Sequence, residues 1–276
     1  MARLGLWTFE DKPGSKVAAD SETGDGAAQD GFFKNGATTT GSGAGIFDGR
    51  NDYVEIPHDP EFDLKTGSIS ISFTQETASS SDNPWGHKAA QTLFSRDSSG
   101  FDGGGHLTIF IKSDGSIGVR HQDSKSSYDF EGGDVTLGKP STVIYSWGPK
   151  GSQLSVDGVI VDSGSDALYF AGNSEPITIG ASQAQSGNNT ANNLKGHFDG
   201  KIDEVAIYDT PMQGGSVPCL TRGTLIRTPS GDVPIESLNV GDLVCTMHHG
   251  AQQIRWIGSR RVELGADAST DNRLRP

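Results

Sequence analysis

The chain of 276 residues holds 38 glycines and 12 prolines, and no stretch sustains a helical repeat for three turns. This excludes a helical architecture and predicts an all-β chain, large enough for one β-sandwich plus a smaller unit. The net charge of −13 lies in residues 1–212, which carry 15 Lys and Arg against 29 Asp and Glu, while residues 213–276 carry 7 against 6; so acidic a surface gains nothing from a phosphate backbone, which argues against a nucleic-acid partner. No apolar run approaches the ~20 residues that span a bilayer, and the N-terminal MARLGLWTFEDK lacks the apolar core of a secretory signal, so a soluble chain is expected, with export by a signal-less route left open.

The first predicted strand is LGLWTF, Leu4 to Phe9. A loop follows with Asp20, Asp25 and Asp30 among glycines, where short carboxylates and carbonyls can converge on a hard cation that wants about six to eight oxygens; an ordinary surface loop has the same composition. IFDGRNDYVEIP gives two strands around a tight turn at Asp48-Gly49. Thr66 to Glu76 alternates, with Ile69, Ile71 and Phe73 on one face. Near the end of the large segment, GHFDGKIDEVAIY (Gly196 to Tyr208) reads as an alternating strand with Ile202, Val205 and Ile207 apolar. It is expected to return beside the first strand with Asp203 aimed at a cation.

The middle of the segment predicts a hairpin, His106 to Lys112 turning through Ser113-Asp114-Gly115 into Ser116 to Gln122. Period two puts Leu107, Ile109, Ile111, Ile117 and Val119 on the core side, and His121 with them. His106, Thr108, Phe110, Arg120 and Gln122 take the other face. If the next strand, SSYDF, carries Tyr128 on that second face, a basic, aromatic and amide patch results, suited to an acidic or hydroxyl-rich chain. The competing reading is that the outer face of an antiparallel sheet is polar by default. Arg96, Asp97 and Asp102 are expected in a loop at the rim of the patch. His58, His87 and His197 receive no role. A turn at Val156-Asp157-Gly158 joins two further strands, EPITIGAS gives another, and SQAQSGNNTANNLKG reads as a surface loop.

The ordered series WTFE, AADSETGDG, GAGIFDGRNDYVEIP, FDLKTGSISISF and GKIDEVAIYD resembles the laminin G-like group of the concanavalin A-like lectin/glucanase superfamily over about residues 4–209. The resemblance implies a two-sheet antiparallel β-sandwich, a jelly roll, spanning residues 1–212. It also implies a structural Ca²⁺ on Asp20, Asp25 and Asp203 that pins the first and last strands together; the alternative for Asp20 and Asp203 is hydrogen bonding to loop amides.

Residues 213–276 change grammar. VPCLTRGTLIRTPSGDVPIESLNVGDLV resembles the opening of a Hint module, the hedgehog/intein self-processing fold, from Cys219 to about Val262. The resemblance implies that the Cys219 sulfur attacks the Pro218 carbonyl to form a thioester. The Thr-x-x-His block that would assist does not occur before Pro276. An incomplete β-rich segment without self-cleavage is therefore expected. Cys219 and Cys245 both lie here, so the large domain carries no disulfide.

Together these readings give an extracellular polysaccharide-binding domain, calcium-stabilised and exported without a recognisable N-terminal signal, as the leading function. Its ligand set is His106, Phe110, Arg120, Gln122, Tyr128 and Arg96. Glycoside hydrolysis is disfavoured, because the Glu-x-Asp-x-x-Glu strand of sandwich glucanases is missing. A polysaccharide lyase acting on a uronate chain is the alternative, with Tyr128, His106, Arg120 and Gln122 as its catalytic groups. A calcium-dependent adhesion module is the third reading.

Overall fold

The computed structural model describes residues 2–22, 28–84, 90–97, 104–124, 126–183, 193–212, 223–246 and 250–254. The chain forms two compact units, Met1–Ser216 and Val217–Pro276. Short strands separated by Gly-, Asp- and Ser-rich turns build the first: β1 (Arg3–Trp7), β2 (Val17–Ala18), β3 (Gly31–Lys34), β4 (Thr38–Thr39), β5 (Gly45–Asp48), β6 (Tyr53–Ile56), β7 (Gly67–Gln75), β8 (Gln91–Arg96), β9 (His106–Ile111), β10 (Ile117–Gln122), β11 (Ser127–Gly132), β12 (Pro140–Gly148), β13 (Gly151–Val156), β14 (Val159–Gly164), β15 (Ile177–Ile179) and β16 (Asp199–Tyr208).

They assemble into two antiparallel sheets. One runs β14-β13-β12-β7-β16-β5-β4, with β1 also on β16; the other runs β11-β10-β9-β8-β15-β6-β3-β2. The turn at Asp48-Gly49 does not make a hairpin: β5 belongs to the first sheet and β6 to the second, so the chain crosses the sandwich there. One apolar core lies between the sheets. Ile69, Ile71, Phe73, Tyr145 and Trp147 come from the first and Val54, Leu107, Ile109, Ile117 and Ile179 from the second, all at most marginally exposed. Each such side chain contributes about 1.5–3 kcal/mol by leaving water.

The closing strand does return beside the first: β1 pairs with β16 through Leu6 opposite Ala206 and Trp7 opposite Val205. Its alternation is not simple. Ile202 pairs with Phe73 and Glu204 with Ser72, which leaves Asp203 as the extra residue of a β-bulge. The inserted residue shifts the phase, so Ile202 and Val205 are both fully buried although three positions apart. The bulge sits where β16 changes neighbour, from β5 at Asp199–Ile202 to β1 beyond it.

Hairpin chemistry follows the sequence. Asp157 and Gly158 both have positive φ (49° and 77°), as the two central residues of a type I′ turn require. Between β9 and β10, Gly115 takes φ 87° and the Asp82 carboxylate accepts from the Ser113 amide at 2.9 Å.

The second unit contains two hairpins, β17 (Leu225–Thr228) with β18 (Gly231–Pro234), and β19 (Leu243–Thr246) with β20 (Gly250–Gln253). TPSG forms the first turn. In LNVGD, the Asp242 carboxylate accepts from the Asn239 amide at 2.8 Å while its own amide donates to the Asn239 carbonyl at 3.1 Å.

Candidate functional site

Strands β8 to β11 sort their side chains by register. Arg120 stands opposite Asp129 on one side and Thr108 on the other; Thr108 stands opposite Ser95, and Ser95 opposite Thr178. Gln122 stands opposite Ser127 and His106. These residues share the face that points away from the core. The opposite row, Arg96, Leu107, His121 and Tyr128, points inward.

The outer face is polar as expected, but its centre is buried. Ser95 and Thr108 are 0% exposed, His106 1%, Asp97 2%, Gln122 3% and Glu175 4%. Buried polar groups are for the most part hydrogen-bonded, to side chains, backbone or water. Thr108 Oγ1 donates to Asp97 Oδ2 at 2.9 Å and lies 3.3 Å from Ser95 Oγ, which accepts from the Gln183 amide at 3.2 Å. His106 Nδ1 lies 3.4 Å from Glu175 Oε2 and 4.0 Å from Asp97 Oδ1. Burial pushes the Asp97 carboxyl up, while donation from Thr108 and the charges of His106 and Arg120 pull it down. Toward the β11 edge the face opens: Arg120 and Ser127 are half-buried, Asp129 is exposed, and Arg120 Nε donates to Ser127 Oγ at 2.9 Å.

Several expected site residues sit elsewhere. Tyr128 pairs with His121 and packs against the core, so it is not part of the His106–Arg120 face. Without it that face lacks the tyrosine acid/base on which the lyase reading depends. Arg96 is not a rim residue either. It lies at the end of β8 with its guanidinium directed inward over the Phe170 ring at 4.8 Å, donating to the Phe62 and Asn173 carbonyls at 3.1 and 2.6 Å and to Asp63 Oδ1 at 2.7 Å. Phe110 shares the outer face but is 7% exposed and lies across Gly118, where an added Cβ would come within 2.4 Å of its ring; it covers a glycine instead of offering a flat platform to a sugar.

His121 lies in the core, as period two predicts. Its Nδ1 is 3.0 Å from the Tyr145 hydroxyl and its Nε2 3.0 Å from the Tyr169 carbonyl. A carbonyl only accepts, so Nε2 carries the proton and the tyrosine donates to Nδ1. Glu175 is the residue that sequence reasoning missed. It opens the predicted strand EPITIGAS, far along the chain from His106, and nothing local marks it as a site residue.

Asp20 behaves as a clasp for its loop: Oδ1 accepts from the Leu6 and Glu22 amides at 2.9 Å each, and Oδ2 from the Gln29 amide at 3.0 Å. Among the described residues no group of three or more His, Cys, Asp or Glu is placed to hold a metal. Asp25, Asp102 and Cys219 lie outside the described residues. Cys245 is an exposed free thiol.

Residues 218–276 match the Hint domain family. No curated protein matches the chain. Among solved structures, domain 4 of AbnA, a GH43 extracellular arabinanase from Geobacillus stearothermophilus in complex with arabinotriose, is similar at 17% identity and a TM-score of 0.53, covering 78% of this chain and 96% of that one. A Trypanosoma rangeli sialidase in complex with the inhibitor DANA is similar at 12% identity and a TM-score of 0.51, covering 76% of this chain and 31% of that one. At these identities the likeness is one of fold. Residues 48–217 match the family described as the concanavalin A-like lectin/glucanases superfamily, and the chain belongs to it.

Proposed function

We propose that the first unit is a carbohydrate-binding domain whose site is the outer face of β8–β11. The observation that carries this reading is the buried polar cluster in which Thr108 donates to Asp97 and His106 Nδ1 lies in ion-pair range of Glu175, and which opens toward Arg120, Ser127 and Asp129 at the sheet edge. A buried, braced cluster beneath half-exposed donors and acceptors is a pre-organised surface for hydroxyls, because the polar groups keep their directions without a ligand. The similar arabinanase domain, solved with arabinotriose, supports the reading at the level of fold.

A glycan array with the full chain and its Arg120→Ala variant tests it. Binding to at least one glycan that weakens about tenfold in the variant, a loss of about 1.4 kcal/mol, is expected. Equal binding by a variant with unchanged melting temperature would move the site off this face. Placement outside the cell belongs to the same proposal, and fractionation of expressing cells tests it.

Calcium on Asp20, Asp25 and Asp203 is a separate proposal. Chelation is expected to lower the melting temperature by several degrees, through loss of a ligand that binds only the folded state. An identical melting temperature with and without EGTA would remove it.

A further inference from the structure

Resting on the carbohydrate-binding reading of this face, we infer that the glycan it takes is neutral, built of hydroxyl-bearing sugars without uronate or sialate carboxylates. Each cationic group on the outer face of β9 to β11 has a carboxylate near it. Lys112 Nζ lies 2.8 Å from Glu131 Oε2. His106 faces Glu175 at 3.4 Å and Asp97 at 4.0 Å. Arg120 stands directly across from exposed Asp129, and its charge also reaches buried Asp97. Four carboxylates thus face three basic groups, so the face has no net positive charge even with the imidazole protonated. The neighbouring sequence restores no excess: residues 98–103 add one acid, Asp102, and the turn after β10, residues 123–126, adds Asp123 and Lys125, which cancel.

A sugar carboxylate approaching Arg120 would find its Nε already donating to Ser127 Oγ. It would also meet the Asp129 charge at cross-strand range, about 5 Å, well inside the ~8 Å over which salt screens at physiological strength. The same pair suits a neutral sugar. A carboxylate that only accepts, beside a guanidinium that only donates, matches the two halves of neighbouring hydroxyls. The wider field has the same sign, since residues 1–212 carry 15 basic against 29 acidic side chains and slow the approach of any polyanion.

Affinity electrophoresis of the full chain through gels containing arabinan, galactomannan or polygalacturonate tests this. A neutral polymer is expected to retard the protein at an apparent Kd at least tenfold below that for polygalacturonate, with Asp129→Lys strengthening polygalacturonate retardation severalfold. Preferential retardation by polygalacturonate, lost in Arg120→Ala, would overturn the charge inference and leave the carbohydrate-binding reading standing. Retardation by none of the polymers, together with an empty glycan array, would overturn both.

Discussion

His121 is a titratable group held neutral inside the sandwich. Burial lowers its pKa from the ordinary 6.5 to about 4, against partial support from the Tyr169 carbonyl. The unfolded chain therefore binds more protons than the folded one between those values. The contribution is fully present above pH 6.5 and lost as the pH falls toward 4, on the order of 3 kcal/mol in all. Urea unfolding across this range is expected to show stability declining with acid, and His121→Gln to flatten that decline; an unchanged slope in the variant would place the titration elsewhere. His121 was legible as a core residue because period two along one strand needs no partner. Tyr128 was not legible, because its face depends on how β11 meets β10. The turn joining them fixes that: Asp123 N–H donates to the Ser126 carbonyl at 3.1 Å, Asp123 Oδ1 accepts from the Ser126 amide at 2.7 Å, and Gln122 therefore pairs with Ser127. One residue more or less in that turn would turn Tyr128 outward. Tyr128→Phe is accordingly expected to leave glycan binding unchanged on the array, and a tenfold loss would contradict this placement.

At the scale of elements, the end of β8 joins core to site. Arg96 points inward and ties the segment around Phe170 and Asn173 to the sandwich, while Asp97, the next residue, turns outward into the polar cluster with Glu175. Strand alternation alone makes one stretch serve both faces. Arg96→Ala would leave buried carbonyls and the Asp63 carboxylate without their donor, and a loss of about 3 kcal/mol in urea unfolding is expected. Arg96→Lys should recover little, since one ammonium cannot reach acceptors spread around a planar fork. A loss below about 1 kcal/mol for Arg96→Ala would show that water replaces it. The bulge at Asp203 and the second at Leu93, where Thr92 pairs with Phe110 and Phe94 with Ile109, explain the apolar pairs that break alternation in β16 and β8. Both lie in strands whose apolar residues are plain in the sequence, yet a period-two reading has no place for an inserted residue.

At the scale of the molecule, one core runs from Trp7 to Ile207, closed by β1 on β16. A fragment of residues 1–216 is expected to unfold in one cooperative step near the melting temperature of the first unit in the full chain; a broad, early transition would show that the core needs residues beyond it. By itself the sequence determined the all-β class, the change of grammar near residue 213, the β9–β10 hairpin and the core side of β7, β9 and β10. Those properties follow from composition, local turn chemistry and the period of a single strand. The tertiary structure alone decided that Arg96 and Tyr128 face the core, that Glu175 joins His106, and that most of the polar face is buried. Each of these depends on register between strands and on segments distant in the chain coming into contact, and neither is written in any one strand's pattern.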